Sequence, residues 1–420
     1  MKNNKFWYGV ITGLASALLM VTIVCGVYWM TTNSQSSTVK IKSNSTTTAS
    51  SSDTSNQKIN YSLLTNKIKL LEQYIDKYYM SNGKPLDVSE TIYKGVLASL
   101  NDPYSVYYTK DEYASMMEST NGSYCGIGAY VSQDVKTGII TIVKPFENGP
   151  AHEAGVLPGD TLYKVEGKEV TGQDLTDVVS RMKGKENTKV KITVIHQGEK
   201  EPVDMQVTRR SVEVPTISYK MMDDKIGYIQ ITEFDEVTAK QFRSAMDDLE
   251  KKGMVGLVID LRDNPGGRLD TVVDILDRIV KKGLLVYTKD KNGEGEKYNA
   301  TDKTYFDKPL SVLINGNSAS ASEVFSGAIQ DYKLGTLVGT TSFGKGIVQS
   351  VIPLADGSGS AIKLTIAKYY TPKGRNIHGK GIDPDVKCEL SDKAKSKIVL
   401  KPSEDNQLQK AISVIKKKIK

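Results

Sequence analysis

Three serines alternate with alanines in Ser318-Ala319-Ser320-Ala321-Ser322, followed by Glu323, between an apolar stretch and a helical pattern. Small residues at such a junction let a hydroxyl nucleophile stand at a sharp turn. The first turn of the helix behind it offers unpaired N–H groups that can hold an oxyanion. By itself the run also reads as an ordinary helix cap, because Ser is favoured at that position and Glu suits the first turn. A second motif, Gly339 to Gly346, nearly matches the phosphate-binding pattern G-x-x-x-x-G-K-[ST] and contains Lys345. Its last position is Gly346 rather than a hydroxyl residue, and Ile347 to Pro353 reads as extended rather than helical. A third, Asp260-Leu261-Arg262-Asp263-Asn264-Pro265-Gly266-Gly267, ends an apolar strand with two glycines. These allow either a plain tight turn or one whose N–H groups converge on a site.

Only three histidines occur, His152, His196 and His378. A Ser-His-Asp triad would have to use His378, and metal sites built on several histidines are excluded by count. If Ser320 is a nucleophile, lysine is the better base, since burial can bring a lysine from about 10.4 toward 7 or 8. Cys25, Cys125 and Cys388 show no metal-ligand spacing.

The 420 residues allow two or three domains, and 39% hydrophobic with 25% charged residues is the composition of folded protein. The net charge of +7 is thinly spread. Its densest patch, Lys416, Lys417, Lys418 and Lys420, reads as a solvated helix end rather than a nucleic-acid surface. No charge interrupts Phe6 to Met30, a run long enough to span a bilayer core of about 30 Å. Aromatic pairs mark both of its ends and lysines precede it, so residues 1–5 are expected in the cytoplasm, 6–30 in the membrane and the rest outside. Residues 31–57 are rich in Ser, Thr and Asn and read as a disordered linker.

From residue 58 to 119 the pattern is helical, with Leu64, Ile68, Leu71, Ile75 and Tyr78 in step and a second helix from about Val88 to Leu100. Residues 120–211 form an α+β module of short strands around one helix, Leu175 to Met182. Residues 212–400 alternate strands (Ile226 to Ile231, Gly256 to Leu261, Leu310 to Ile314, Thr336 to Val338, Ala361 to Ala367) with helices (Ala239 to Lys251, Leu269 to Val280, Glu323 to Tyr332). That alternation predicts an α/β core. Residues 401–420 are expected to be a C-terminal helical tail.

The motifs, in this order, resemble the carboxy-terminal processing peptidases, or tail-specific proteases. The resemblance also takes in Ser99-Leu100-Asn101-Asp102-Pro103-Tyr104-Ser105 and Tyr369-Tyr370-Thr371-Pro372 with Gly374-Arg375. It implies a crotonase-like (Clp protease-like) α/β core that is a serine endopeptidase without a cofactor, often dimeric through its helical ends. It further implies that Ser320 is the nucleophile and Lys345, twenty-five positions later, the general base. Gln349 matches the position that orients the lysine, and Gly266 or Gly267 together with Ala321 match the oxyanion donors. His378 departs from the family, where a residue such as Gln is expected. The module resembles a PDZ domain, with Gly126-Ile127-Gly128-Ala129 at the loop that receives a peptide carboxylate, so protein substrates with free C-termini are the expected partners. Two other readings compete: a silent scaffold that only binds tails, which the complete Ser320, Lys345 and Gln349 set opposes, and a nucleotide site, which Gly346 opposes.

Overall fold

The computed structural model describes residues 59–80, 87–301, 305–397 and 400–419. The expected membrane span, 6–30, and linker lie outside them. Among the described residues no helix is long and apolar enough to cross a membrane. Helix α1 (Tyr61–Tyr78) belongs to a unit of its own, ending at Gly83. It starts where the Asn60 side chain accepts from Leu63 N–H, and it buries none of its residues.

In the second unit, α2 (Val88–Ala98) leads through the Asn101–Ser105 turn to a short strand, β1 (Val106–Tyr108). The helix that follows, α3 (Lys110–Asn121), falls in the stretch 58–119 read as helical, although it was not singled out there because no apolar stripe runs along it and none of its residues is buried. A reciprocal capping box of Thr109 and Glu112 starts it, and Gly122 in the left-handed region ends it. Strand β2 (Ser123–Gly126) enters the module, and β9 (Arg210–Glu213) leaves it by pairing antiparallel with β2.

The module itself is an antiparallel sheet ordered β3-β4-β5-β7-β8, from β3 (Ala129–Gln133), β4 (Ile140–Pro145), β5 (Asp160–Val165), β7 (Lys189–Ile195) and β8 (Pro202–Thr208). The two-residue β6 (Lys168–Glu169) pairs with β5. Two helices complete it, α4 (Pro150–Glu153) and α5 (Leu175–Met182). Its core is a closed cluster of Ile140, Ile142, Leu162, Val178, Ile192 and Val194, each wholly buried or nearly so.

The core sheet runs β10-β11-β12-β15-β16-β19, from β10 (Ile217–Met221), β11 (Ile226–Ile231), β12 (Gly256–Asp260), β15 (Leu310–Ile314), β16 (Gly335–Gly339) and β19 (Val386–Lys387). All neighbours are parallel except β10 with β11. Every residue of β12 and β15 is buried, as expected for parallel strands covered on both faces. One face carries α6 (Thr238–Lys251), α7 (Leu269–Asp277) and α8 (Ala321–Tyr332). Ile226, Val258, Leu313 and Val338 on the other face meet Leu408, Ala411, Ile412 and Ile415 of α10 (Asn406–Ile419). The helix expected as a tail therefore covers the core sheet, while α9 (Asp392–Lys395) is one turn before it. Arg262 fastens this segment, its guanidinium shared between Asp260 and Asp405 with a further bond to Gln407.

A second sheet pairs β1 with β18 (Ala361–Tyr370), then β13 (Gly283–Asp290) and β14 (Lys297–Ala300), with β17 (Ile347–Pro353) also on β18. The hairpin of β13 and β14 went unrecognised in the sequence. Val106 lies opposite Lys363 in the β1–β18 register, so the chain before the module and the chain near the end of the core share one sheet.

Candidate active site

The three parallel strands β12, β15 and β16 end side by side, and the loops that follow them carry the three sequence motifs. The first loop is pinned by Asn264, which is fully buried. Its Nδ2 donates to Ile231 O, its Oδ1 accepts from Gly266 N–H, and its carbonyl accepts from Ala319 N–H at 3.0 Å and from Ser322 Oγ at 3.0 Å. Asp263 joins the first loop to the second by accepting from the side-chain amides of Asn315 and Asn317.

Within the serine run the hydroxyls have different fates. Ser318 Oγ is buried and donates to Leu261 O at 2.7 Å, and Ser322 Oγ is buried and bonded to Asn264. Ser320 alone is partly exposed, and its hydroxyl donates to no group among the described hydrogen bonds. Its backbone stands at φ 53° and ψ −113°, a conformation a non-glycine residue adopts at a cost of about 1–3 kcal/mol. Local strain of that size persists only where surrounding bonds enforce it.

Glu323 supplies the enforcement. Its carboxylate has no exposure to water and accepts from Ser320 N–H (2.9 Å), Ser342 Oγ, Gly344 N–H (2.7 Å) and Lys345 N–H (2.8 Å). One side chain thus fixes the backbone of the serine turn and of the lysine loop together. The same bonds dispose of the phosphate-loop reading: the amides of Gly344 and Lys345 that would cradle a phosphate already serve a carboxylate, and β17 follows where that motif needs a helix.

Lys345 is half-buried, and its Nζ stands 4.6 Å from the centre of the Tyr104 ring. Burial pushes its pKa below the ordinary lysine value and the Lys363 charge lowers it further, while Asp102 and Glu323 act in the opposite sense. Gln349, on β17, donates from Nε2 to Thr365 Oγ1 at 3.3 Å. Of the expected oxyanion donors, Gly266 N–H is committed to Asn264 at 2.8 Å. The N–H groups of Gly267 and Ala321 have no partner among the described hydrogen bonds. Gly266 lies so close to the serine that a Cβ on it would meet Ser320 Cβ at 2.8 Å, so no larger residue fits there. Among the described hydrogen bonds none joins a histidine to the serine: His152 and His378 are exposed, and His196 pairs with Asp160 at 2.8 Å in the module. A cleft of about 1000 Å³ runs beside the site, with apolar walls of Leu100, Leu269, Val348, Leu364 and Ile366 and a charged rim of Asp290, Lys291, Glu294 and Glu296.

In the module, Gly126, Ile127 and Gly128 are buried, with Ile127 O accepting from Ala151 N–H and Gly128 O from Phe146 N–H. The Tyr124 hydroxyl lies toward the Gly128 and Ala129 N–H groups. Burial raises the pKa of Tyr124, and those two N–H groups partly offset the rise. Among the described residues strand β3, next to this loop, pairs only with β4, and its other edge carries no strand.

Asn264 and the structural role of Glu323 were missed in the sequence. The signals were present, a polar residue directly before Pro-Gly-Gly and an acid three residues into the helix, but both also fit a plain turn and a plain cap.

The sequence profile of peptidase family S41 matches residues 225–388, and that of the PDZ domain matches residues 141–195. Carboxy-terminal processing protease CtpA of Bacillus subtilis is 40% identical over 78% of this chain and 69% of its own length. The carboxy-terminal-processing protease of Bartonella bacilliformis is 37% identical over 81% of this chain and 78% of its own. The crystal structure of an S41 protein from Bacteroides fragilis, 16% identical, matches with a TM-score of 0.51 over 83% of this chain and 97% of that one, a likeness of fold alone.

Glu323→Ala should strand three backbone N–H groups and a hydroxyl, at about 1–3 kcal/mol for each donor left without a partner. We expect a loss of about 3 kcal/mol or more in stability to urea, against little change for Ser320→Ala. An unchanged unfolding midpoint in Glu323→Ala would mean the loops hold together without the carboxylate.

Proposed function

The chain belongs to peptidase family S41 as a carboxy-terminal processing protease, a serine peptidase, and from that premise we propose that Ser320 is its nucleophile and Lys345 its general base. The observation that carries this reading is the Glu323 carboxylate, which bonds the N–H of both residues and so holds the two as one unit.

In the proposed reaction the neutral Lys345 amine takes the proton from Ser320 Oγ as the oxygen attacks a peptide carbonyl. The N–H groups of Gly267 and Ala321, both uncommitted, receive the oxyanion, and Gly266 keeps the approach open by its lack of a side chain. The protonated Lys345 then gives its proton to the leaving amine, and water, deprotonated by the same lysine, releases the acyl group. A lysine fits this work here because burial already disfavours its charged form. The Nζ–Oγ hydrogen bond is one that apo geometry need not contain and that forms with substrate in place. Gln349, close in chain to Lys345, is assigned the orienting role. The apolar walls of the neighbouring cleft suit an extended substrate.

The module is assigned the capture of substrate tails. A terminal carboxylate would take the N–H groups of the Gly126 to Ala129 loop, displacing the Tyr124 hydroxyl, while the peptide adds a strand to the open edge of β3. The crotonase-like description of the core, the membrane anchor at residues 6–30, an extracytoplasmic body and a homodimer complete the proposal. The first is supported by a parallel sheet with helices on both faces, and the anchor by the uncharged run itself.

Arginine keeps the charge of lysine but does not deprotonate in a protein. Lys345→Arg should therefore lower cleavage of an unstructured protein by about 10²- to 10⁴-fold while the fold survives. In the unaltered enzyme the base works only when deprotonated, so the rate should climb with pH through the depressed Lys345 pKa and level off above it. Substantial cleavage by a pure Lys345→Arg sample would remove lysine from the mechanism. For the module, a substrate ending in a free carboxylate should be cleaved with lower KM than its C-terminal amide, and equal values would detach the Gly126 to Ala129 loop from tail recognition. For the anchor, protease added to intact cells should digest the body, and protection of the body would reverse the topology.

A further inference from the structure

The turn Asn101 to Ser105 lies in the chain ahead of the module, far from the catalytic motifs in sequence, and the reaction above gives it no part. Its geometry is tightly fixed. Asn101, at φ 52°, closes α2 with its N–H on Ala98 O. Asp102 then accepts from Tyr104 N–H at 3.0 Å and from Ser105 Oγ at 2.6 Å, and its backbone carbonyl accepts from Ser105 N–H. Ser105 is nearly buried, at 5% exposure, and its Oγ in turn accepts from Thr365 N–H at 3.0 Å. Thr365 is the residue whose hydroxyl meets Gln349. Strand β1 begins immediately afterwards and zips onto β18, so the turn cannot drift from the core. The outcome of these constraints is that the Tyr104 ring lies against the Lys345 ammonium at 4.6 Å.

We propose that Tyr104 is a positioning residue for the general base: its ring covers the Lys345 amine, and the Asp102–Ser105–Thr365 bonds hold the ring there. The inference rests on Lys345 being the base. It gives the segment before the module a direct task in the site, which neither catalytic loop can perform because both are occupied in fixing their own backbones on Glu323.

The ring has two opposing effects on the lysine proton. Its face attracts an ammonium, which favours the charged form. Its bulk keeps water from the amine, which favours the neutral form. The other charges facing Lys345 are Lys363 from β18, Asp102 from the turn and Glu323 from α8, with His378 acting on Asp102. Burial is the largest cause of the lowered Lys345 pKa, and on this proposal the ring's share of that cover exceeds its attraction, so that removing the ring raises the Lys345 pKa.

The test is the pH dependence of kcat and KM for the full chain in detergent, comparing Tyr104→Ala, Tyr104→Phe and Ser105→Ala. Tyr104→Ala should move the acidic limb of the kcat profile up by about one pH unit, a fall of about tenfold at a pH below the limb, with KM little altered. Tyr104→Phe, which keeps the ring, should restore the original limb. Ser105→Ala, which loosens the turn without touching the ring, should shift the limb the same way by a smaller amount, and it carries the test if Tyr104→Ala does not fold. The pH at which Lys345 becomes acylated by an amine-reactive reagent in a Ser320→Ala background reads the same proton without any cleavage. An unmoved limb and unmoved labelling in Tyr104→Ala and Ser105→Ala, or a loss that Tyr104→Phe does not restore, overturns the proposal. If Lys345→Arg still cleaves, the base assignment itself has failed. If Lys345→Arg is dead and the Tyr104 variants leave the limb in place, only this inference has.

Discussion

A carboxylate removed from water must have its oxygens filled by donors, and Glu323 fills its own from two separate loops. This requirement runs through the whole site. The helix α8 must begin where it does so that the third residue of its first turn reaches back to Ser320 N–H. The loop after β16 must then fold over the helix start so that Gly344 and Lys345 present their N–H groups to the same side chain. Gly344 takes a positive φ of 92° to do this, and a Cβ there would meet Gly381 N at 2.9 Å. The serine is left in a backbone conformation it would not choose, and the lysine side chain leaves the loop in one direction. Neither catalytic candidate is placed by its own side chain. Both are placed by a neighbour whose charge never meets solvent.

How much of this could be read from the sequence varies with whether the cause is local. Strands such as Leu310 to Ile314 announce themselves because all but Ser311 of their residues are apolar, and α7 because its stripe recurs at helical spacing. The helix Lys110–Asn121 buries nothing and had no stripe to detect, only the Thr109 and Glu112 cap. The lysine tail looked like a solvated end because Lys416 to Lys418 dominate it, while the four residues that pack, Leu408, Ala411, Ile412 and Ile415, lie one face away from those charges. Ser320 and Lys345 were reachable through the spacing of recognisable motifs. Which of Gly266 and Gly267 keeps a free N–H was not, because it depends on where the Asn264 side chain points. The near-match to a phosphate loop was opposed in the sequence by Gly346 and the extended stretch after it, and the structure adds what the pattern does not record, that the Gly344 and Lys345 amides are already engaged.

The order of segments along the chain also has a physical consequence. The module is bracketed by β2 and β9, a single two-stranded ribbon, with Gly122 at its base pressed so closely on the core that an added Cβ would meet Asp235 and Val237 at 2.8 Å. Chain on the near side of the module returns to the core through β1, and chain on the far side continues as β10, so both attachments of the module end in sheets of the protease portion. Few polar ties cross otherwise, among them Tyr130 OH on Pro215 O at 3.0 Å and Lys183 with Glu118. A body held by one narrow ribbon can shift relative to its neighbour at smaller cost than one held by a broad buried face.

That arrangement explains why the segment ahead of the module, rather than the module, is the one that touches the lysine. A residue meant to fix a general base has to keep its distance to a few tenths of an ångström, and only a rigidly paired element can do so. Strand β1 is hydrogen bonded to the centre of its sheet and anchored by Tyr107 at 6% exposure, so the turn before it inherits the rigidity of β18. The loop proposed to receive tails, Gly126 to Ala129, starts at the module end of the ribbon, where Gly126 pairs with Arg210. On the proposed reading the chain separates two demands that conflict in one body: geometry that must not change around Ser320 and Lys345, and a surface that must adapt to substrate tails.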